Sequence, residues 1–311
     1  MIRVLASLKE SRKLRIVSKM AAAVLAVGTV ASGVGACGST SNNVNTDQPG
    51  SKCAPTSGGL KAAPLEPGTS NHVLGRAPAY YEVGAPSGAY TGKAPKGITI
   101  VVHGGGWAVV GPGAVTSERS VADGWRNMGW SAINVTYPAC NGPGEVAAMA
   151  WFYDTAALIA GPLPIGAEGD SSGGNLALLL AEHRPLSFVV SRGGPTDLTT
   201  IGQQPAWNGT HHAYDQTLGP QKVYNAAVAA FGKSRLAAMS PALSPTRPTG
   251  RVLQAPASTD FLVPPAQLHE LGVGAIYVVP GPGPVTWVHG TVTAAGASAF
   301  IVTLRNLVSG R

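Results

Sequence analysis

The sequence predicts one α/β domain: a mostly parallel central sheet with helices on both faces and a cap-like insertion. Three observations carry that expectation. From residue 98 onward, short runs rich in β-branched residues alternate with helical stretches, the pattern that strand–helix–strand units require. Two of those runs end in glycine-dense turns, at 103–106 and 169–174. Finally, 44% of the chain is hydrophobic and only 12% charged, about half the roughly 25% charge of an average soluble domain, which suits a sheet buried on both sides.

Ahead of the domain, residues 1–36 read as an export signal. The net charge of +7 and pI near 9.5 invite a nucleic-acid or membrane-surface reading. Position removes it. Six of the 22 basic residues (Arg3, Lys9, Arg12, Lys13, Arg15 and Lys19) fall in the first 20, against one acid, Glu10. The remainder holds 16 basic and 14 acidic residues, too balanced for a phosphate-backbone binder, so no nucleic-acid partner is expected. An apolar stretch over 20–36 follows, shorter than the ~18 residues a spanning helix needs and organised like a secretory signal. It ends Val34-Gly35-Ala36-Cys37 before a polar Gly-Ser-Thr-Ser-Asn-Asn run. This resembles the bacterial lipobox, whose cysteine is lipidated and becomes the mature N-terminus. The expectation is a chain in the cell envelope, lipid-anchored through Cys37 to the outer face of a bacterial membrane. The alternative is an ordinary cleaved signal with an unrelated cysteine.

Residues 37–75, rich in Ser, Asn, Gly and Pro, read as a flexible tether, and 76–311 as the domain. The chain has three cysteines. If lipid consumes Cys37, then Cys53 and Cys140 remain, either as a disulfide pinning the tether to the domain or as two free thiols. No CxxC or Cys/His cluster occurs, so neither a metal site nor a cofactor is expected.

Within the domain, the apolar run at 98–102 reads as a buried strand, followed by a glycine turn and a helix over 115–128. A second strand at 131–137 precedes a helix over 145–160. A third at 163–169 enters a tight turn and a helix over 173–182. Further strands are expected at 187–191, 251–255 and 275–279. A last helix over 291–308 has apolar residues at helical spacing. The stretch 196–250 breaks the rhythm with Pro, Gly and aromatics and is set apart as the cap-like insertion.

Two motifs carry chemistry. Gly169-Asp170-Ser171-Ser172-Gly173-Gly174-Asn175 fits the G-x-S-x-G nucleophile elbow, in which flanking glycines leave room for a sharp strand-to-helix turn. The following helix then directs its N-terminal N–H groups at developing negative charge. His103-Gly104-Gly105-Gly106-Trp107 directly follows a strand. Chance gives roughly 0.4 elbow matches in a chain of this composition but only roughly 0.02 HGGG matches, so the second motif is the more specific. Its use is an oxyanion hole formed by the amides of Gly104 and Gly105 with that of Ser172. His103 then organises the loop instead of carrying protons.

These two motifs, 68 residues apart and in this order, resemble the α/β-hydrolase superfamily, and more closely the bacterial esterases and lipases of the hormone-sensitive-lipase type. The resemblance spans roughly residues 80–311 and implies the α/β-hydrolase fold. It also implies the chain order Ser, acid, His. Asp260, in Ser258-Thr259-Asp260-Phe261, looks like the acid, and His289, before the last helix, stands where the base is kept. The implied triad is Ser171, Asp260 and His289. Asp197 is a rival acid, its alternative role being capping or loop hydrogen bonding; Asp170 is expected to be structural. His72, His183, His211, His212 and His269 are expected to pack or face solvent. The chain departs from such relatives in reading Tyr137-Pro138-Ala139-Cys140 in place of a Tyr-Arg-Leu-Ala-Pro-like stretch. It also carries Glu168 before the elbow, where an apolar residue is expected, and Ala257 where glycine is frequent. The expected activity is serine-dependent hydrolysis of a small-molecule or lipid ester through an acyl-enzyme. Alternatives are an amidase or peptidase with the same triad, or a silent surface-binding lipoprotein. Trp207 and Tyr214 are candidates for lining the pocket.

Overall fold

The structure, a computed structural model, describes residues 72–73, 80–108, 114, 117–138, 143–204, 219–256, 260–272, 274–276 and 294–309. Its strands are β1 (His72–Val73), β2 (Tyr80–Gly84), β3 (Ile98–Val102), β4 (Ser131–Val135), β5 (Ile165–Asp170), β6 (Phe188–Arg192), β7 (Arg251–Gln254) and β8 (Ala275–Ile276). Its helices are α1 (Arg119–Asn127), α2 (Pro143–Ala160), α3 (Ser172–His183), α4 (Pro220–Phe231), α5 (Ala266–Leu271) and α6 (Ala294–Ser309). All the strands join one sheet in the order β1-β2-β4-β3-β5-β6-β7-β8. From β3 to β8 the neighbours are parallel, while β2 pairs antiparallel with both β1 and β4.

The strands form where β-branched residues are dense: Ile98-Thr99-Ile100-Val101-Val102 is buried throughout, as a strand covered on both faces should be. Alternate residues then serve two cores. On one face, Ile100, Val102, Ala167 and Val189 meet Met149 and Phe152 of α2 and Leu176 and Leu180 of α3. On the other, Val101, Val190 and Leu253 meet Trp125 of α1 and Leu304 of α6. There Phe188 stacks on Trp125 with centroids 5.1 Å apart and meets Trp130 edge-on at 5.2 Å. Each such buried side chain contributes about 1.5–3 kcal/mol.

Three elements, β1, β2 and α1, differ from expectation. The two strands β1 and β2 were not anticipated, and His72–Val73 had been assigned to the tether. The helix expected over 115–128 is interrupted: Ala114 and Ser117 are helical, a turn follows at Glu118, the N-cap of α1, and α1 runs from Arg119, while the Glu118 side chain pairs with Arg192. The segment 196–250 joins β6 to β7, and its described part is helical. Ala227, Ala230, Phe231, Leu236 and Met239 from it enter the main core, so that part belongs to the same hydrophobic body as the sheet. Cys37, Cys53, Cys140, Trp207, Tyr214 and His289 lie outside the described residues.

After β3 and β4 are laid down, the chain crosses to the other side of β3 to form β5. The loops that follow β3 and β5 consequently leave from neighbouring strand ends, where open α/β sheets bind ligands.

Candidate active site

Between β5 and α3 the chain turns on Ser171, which has φ 51° and ψ −120°. Left-handed backbone at a residue with a Cβ costs about 1–3 kcal/mol and persists only when its surroundings enforce it. Here the Ser171 N–H donates to the Arg192 carbonyl at 2.8 Å, and the Asn175 N–H donates to the Ser171 carbonyl at 3.1 Å. The Asn175 amide in turn donates to the carbonyls of Pro195 and Met239, both at 3.0 Å. This ties the start of α3 to the connection after β6.

Close approach explains the glycines. A Cβ on Gly173 would lie 2.3 Å from the Val102 carbonyl oxygen and 2.5 Å from that of His103. Helix α3 is therefore packed against the end of β3, with the HGGG loop beside it. A Cβ on Gly104 would stand 3.2 Å from the Ser171 Cβ and 3.0 Å from an Asp170 carboxylate oxygen. The two motifs thus meet. Beyond Gly104 the loop stays left-handed through Gly105, Gly106 and Trp107. Its far side rests on α4: Trp107 meets Phe231 at 5.1 Å.

His103 is fully buried. Its Nδ1–H donates to the Gly104 carbonyl at 2.5 Å, and its ring stacks on Tyr137 with centroids 4.4 Å apart. Burial pushes its pKa down to about 4, against the opposing bond to Gly104. A neutral ring fixed on both sides suits a loop organiser. Tyr137 was missed as a site residue. Its hydroxyl donates to the His103 carbonyl at 3.2 Å and, with that proton committed, accepts from the Ser172 hydroxyl at 3.0 Å. It joins the glycine loop after β3 to the first residue of α3. The available signal was its place as the first residue of Tyr137-Pro138-Ala139-Cys140, a stretch weighed only as a departure.

Asp260 follows β7, two strands across from β5, and is fully buried. Its Oδ1 accepts the N–H groups of Leu262 and Val263, both at 2.9 Å. The rival Asp197 is turned into its own loop, accepting from the Thr199 N–H at 2.8 Å and from the hydroxyls of Thr199 and Thr200 at 2.6 and 3.0 Å. Ser171 and Gly104 are brought together, and Ser172 is linked through Tyr137 to the His103 carbonyl. Asp260 lies in the connection after β7, and His289 is outside the described residues.

Glu168 has the partners that sequence did not supply. The Arg192 Nε lies 2.9 Å from its Oε1, and the Trp125 indole N–H donates to its Oε2. The Arg192 Nη2 also bonds Glu118 at 2.6 Å. Burial raises the pKa of both glutamates, with Arg192 pulling the other way.

Comparisons with known proteins bear on the fold. A truncated carbohydrate esterase from gut microbiota matches with TM-score 0.53 at 15% identity, over 74% of this chain and 91% of that one. A Pyrobaculum calidifontis esterase matches with TM-score 0.55 at 19% identity, over 75% of this chain and 81% of its own. An α/β-hydrolase superfamily protein from Enterococcus faecalis matches with TM-score 0.51 at 14% identity, over 75% and 96%. No family model matches the sequence, and no curated protein matches it. The chain has the α/β-hydrolase fold.

Proposed function

We propose that the chain is a serine ester hydrolase working through an acyl-enzyme, with Ser171 as nucleophile, Asp260 as acid and His289 as base. The observation that carries this reading is the meeting of the two loops: a left-handed Ser171 with Gly104 packed against it. That arrangement offers a nucleophile on a raised turn beside a glycine loop and a helix N-terminus, the parts that acyl transfer needs. Ser171 attacks the ester carbonyl, its proton passing to His289 and from there to the alcohol oxygen as the ester C–O bond breaks and the alcohol leaves. Asp260 holds the imidazole tautomer. The amides of Gly104, Gly105 and Ser172 receive the oxyanion, and water then releases the acyl group by the same base. Structural neighbours described as esterases are in keeping with an ester substrate.

A fluorophosphonate probe should label the wild-type chain at Ser171 and leave Ser171→Ala unlabelled. That variant should lose p-nitrophenyl ester turnover by about 10⁴-fold or more; retained turnover overturns the assignment. The same reading takes the chain to the cell envelope, anchored by lipid at Cys37.

A further inference from the structure

The cluster of charges beneath the elbow takes no part in the chemistry just described. Arg192 ends β6 with its side chain 9% exposed. Its guanidinium reaches Glu118 at the start of α1 and Glu168 in the middle of β5. Asp170, in register with it across the β5–β6 ladder, adds a third carboxylate whose charge acts on it. The main chain of the same residue carries a separate duty: its carbonyl accepts the Ser171 N–H. A buried arginine between carboxylates is weak evidence for stability, since apolar side chains of similar volume hold a core as well. Direction is what it supplies. A planar guanidinium whose Nη2 hydrogen-bonds Glu118 while its Nε is ion-paired with Glu168 cannot swing without giving up one of them.

We propose that Arg192 is a positioning residue for Ser171: by drawing Glu118 and Glu168 together around its guanidinium it fixes the end of β6, whose carbonyl then holds the nucleophile's N–H. This rests on the reading of Ser171 as nucleophile. Charge balance closes the clamp. Without the cation, Glu118, Glu168 and Asp170 face one another, and the end of β6 shifts while they are ionised. Acid, by protonating them, lets it return.

The test compares the full wild-type chain with R192K, R192M and E118Q/E168Q/R192M. Thermal melting establishes folding, kcat and KM on p-nitrophenyl acetate are measured from pH 6 to 8, and amide hydrogen exchange is followed at Ser171. R192M should lose about a hundredfold in kcat at pH 8 with KM within about threefold, and the loss should narrow toward pH 6. Its Ser171 amide should exchange faster. The charge-neutral triple variant should regain kcat to within about tenfold of wild type and lose the added pH dependence. R192K keeps the charge but not two separate nitrogens for the two carboxylates and should lose about tenfold; it decides the matter should R192M not fold. A folded R192M or R192K with wild-type kcat and an equally protected Ser171 amide overturns the proposal. So does a folded triple variant as slow as R192M. If the wild-type chain neither turns over esters nor takes the fluorophosphonate probe, the nucleophile reading fails, and exchange at the Ser171 amide alone decides on Arg192.

Discussion

At the scale of single residues, His103 shows what burial does to a titrating group. Its ordinary pKa of 6.5 falls to about 4 because the charged ring has no water. Between those values the unfolded chain binds a proton that the folded chain refuses. Stability contributed by the neutral ring is therefore complete above pH 6.5 and is lost as the pH falls toward 4, by up to about 3 kcal/mol. Melting curves of wild type and His103→Asn should converge or cross through that window, with most of the wild type's acid-side slope absent from the variant. Equal slopes would contradict the assignment. Residues of this kind divide by how visible they are in sequence. Gly104, Gly173 and Ser171 were legible because a backbone constraint leaves only glycine, or a strained serine, at set spacing. The partners of Glu168 were not, since Arg192 and Glu118 are brought to it only by strand register and helix docking.

At the scale of elements, α5 has six residues and little local reason to persist, as so short a helix gains little from its own bonds. It is stitched to the connection after β6. The Gln267 Oε1 accepts the N–H groups of Thr196 and Asp197, both at 2.8 Å, and the Thr196 hydroxyl donates to the Gln267 carbonyl. The Gln254 amide donates to the Leu268 carbonyl at 3.1 Å. Since α5 follows the Asp260 loop, these bonds also fix where that loop can lie. Gln267→Leu would strand two buried N–H groups, costing about 2–4 kcal/mol. A urea midpoint lowered accordingly at unchanged m would bear this out; a loss below about 1 kcal/mol would not. The parallel strands were legible as β-branched runs. The antiparallel pair β1 and β2 was not: Tyr80-Tyr81-Glu82-Val83-Gly84 has no apolar run, and its place depends on pairing with β4.

At the scale of the whole molecule, basic charge is concentrated in residues 1–20 while the rest is nearly neutral, so attachment to a membrane would fall to lipid and not to surface charge. Wild-type chain should fractionate with membranes and incorporate labelled palmitate; Cys37→Ala should do neither. Label surviving in that variant would sink the anchor. The strained turn at Ser171 has a consequence on the same scale. It rests on β3, β5 and β6, all supplied by residues 98–192, whereas Asp260 and His289 come later in the chain. Synthesis proceeds from the amino end, and early segments can settle first. A growing chain is thus able to close the serine's seat before either of the partners proposed for Ser171 has been made. On that proposed assignment, order of manufacture would keep the half-built molecule inert until the residues beyond 260 arrive.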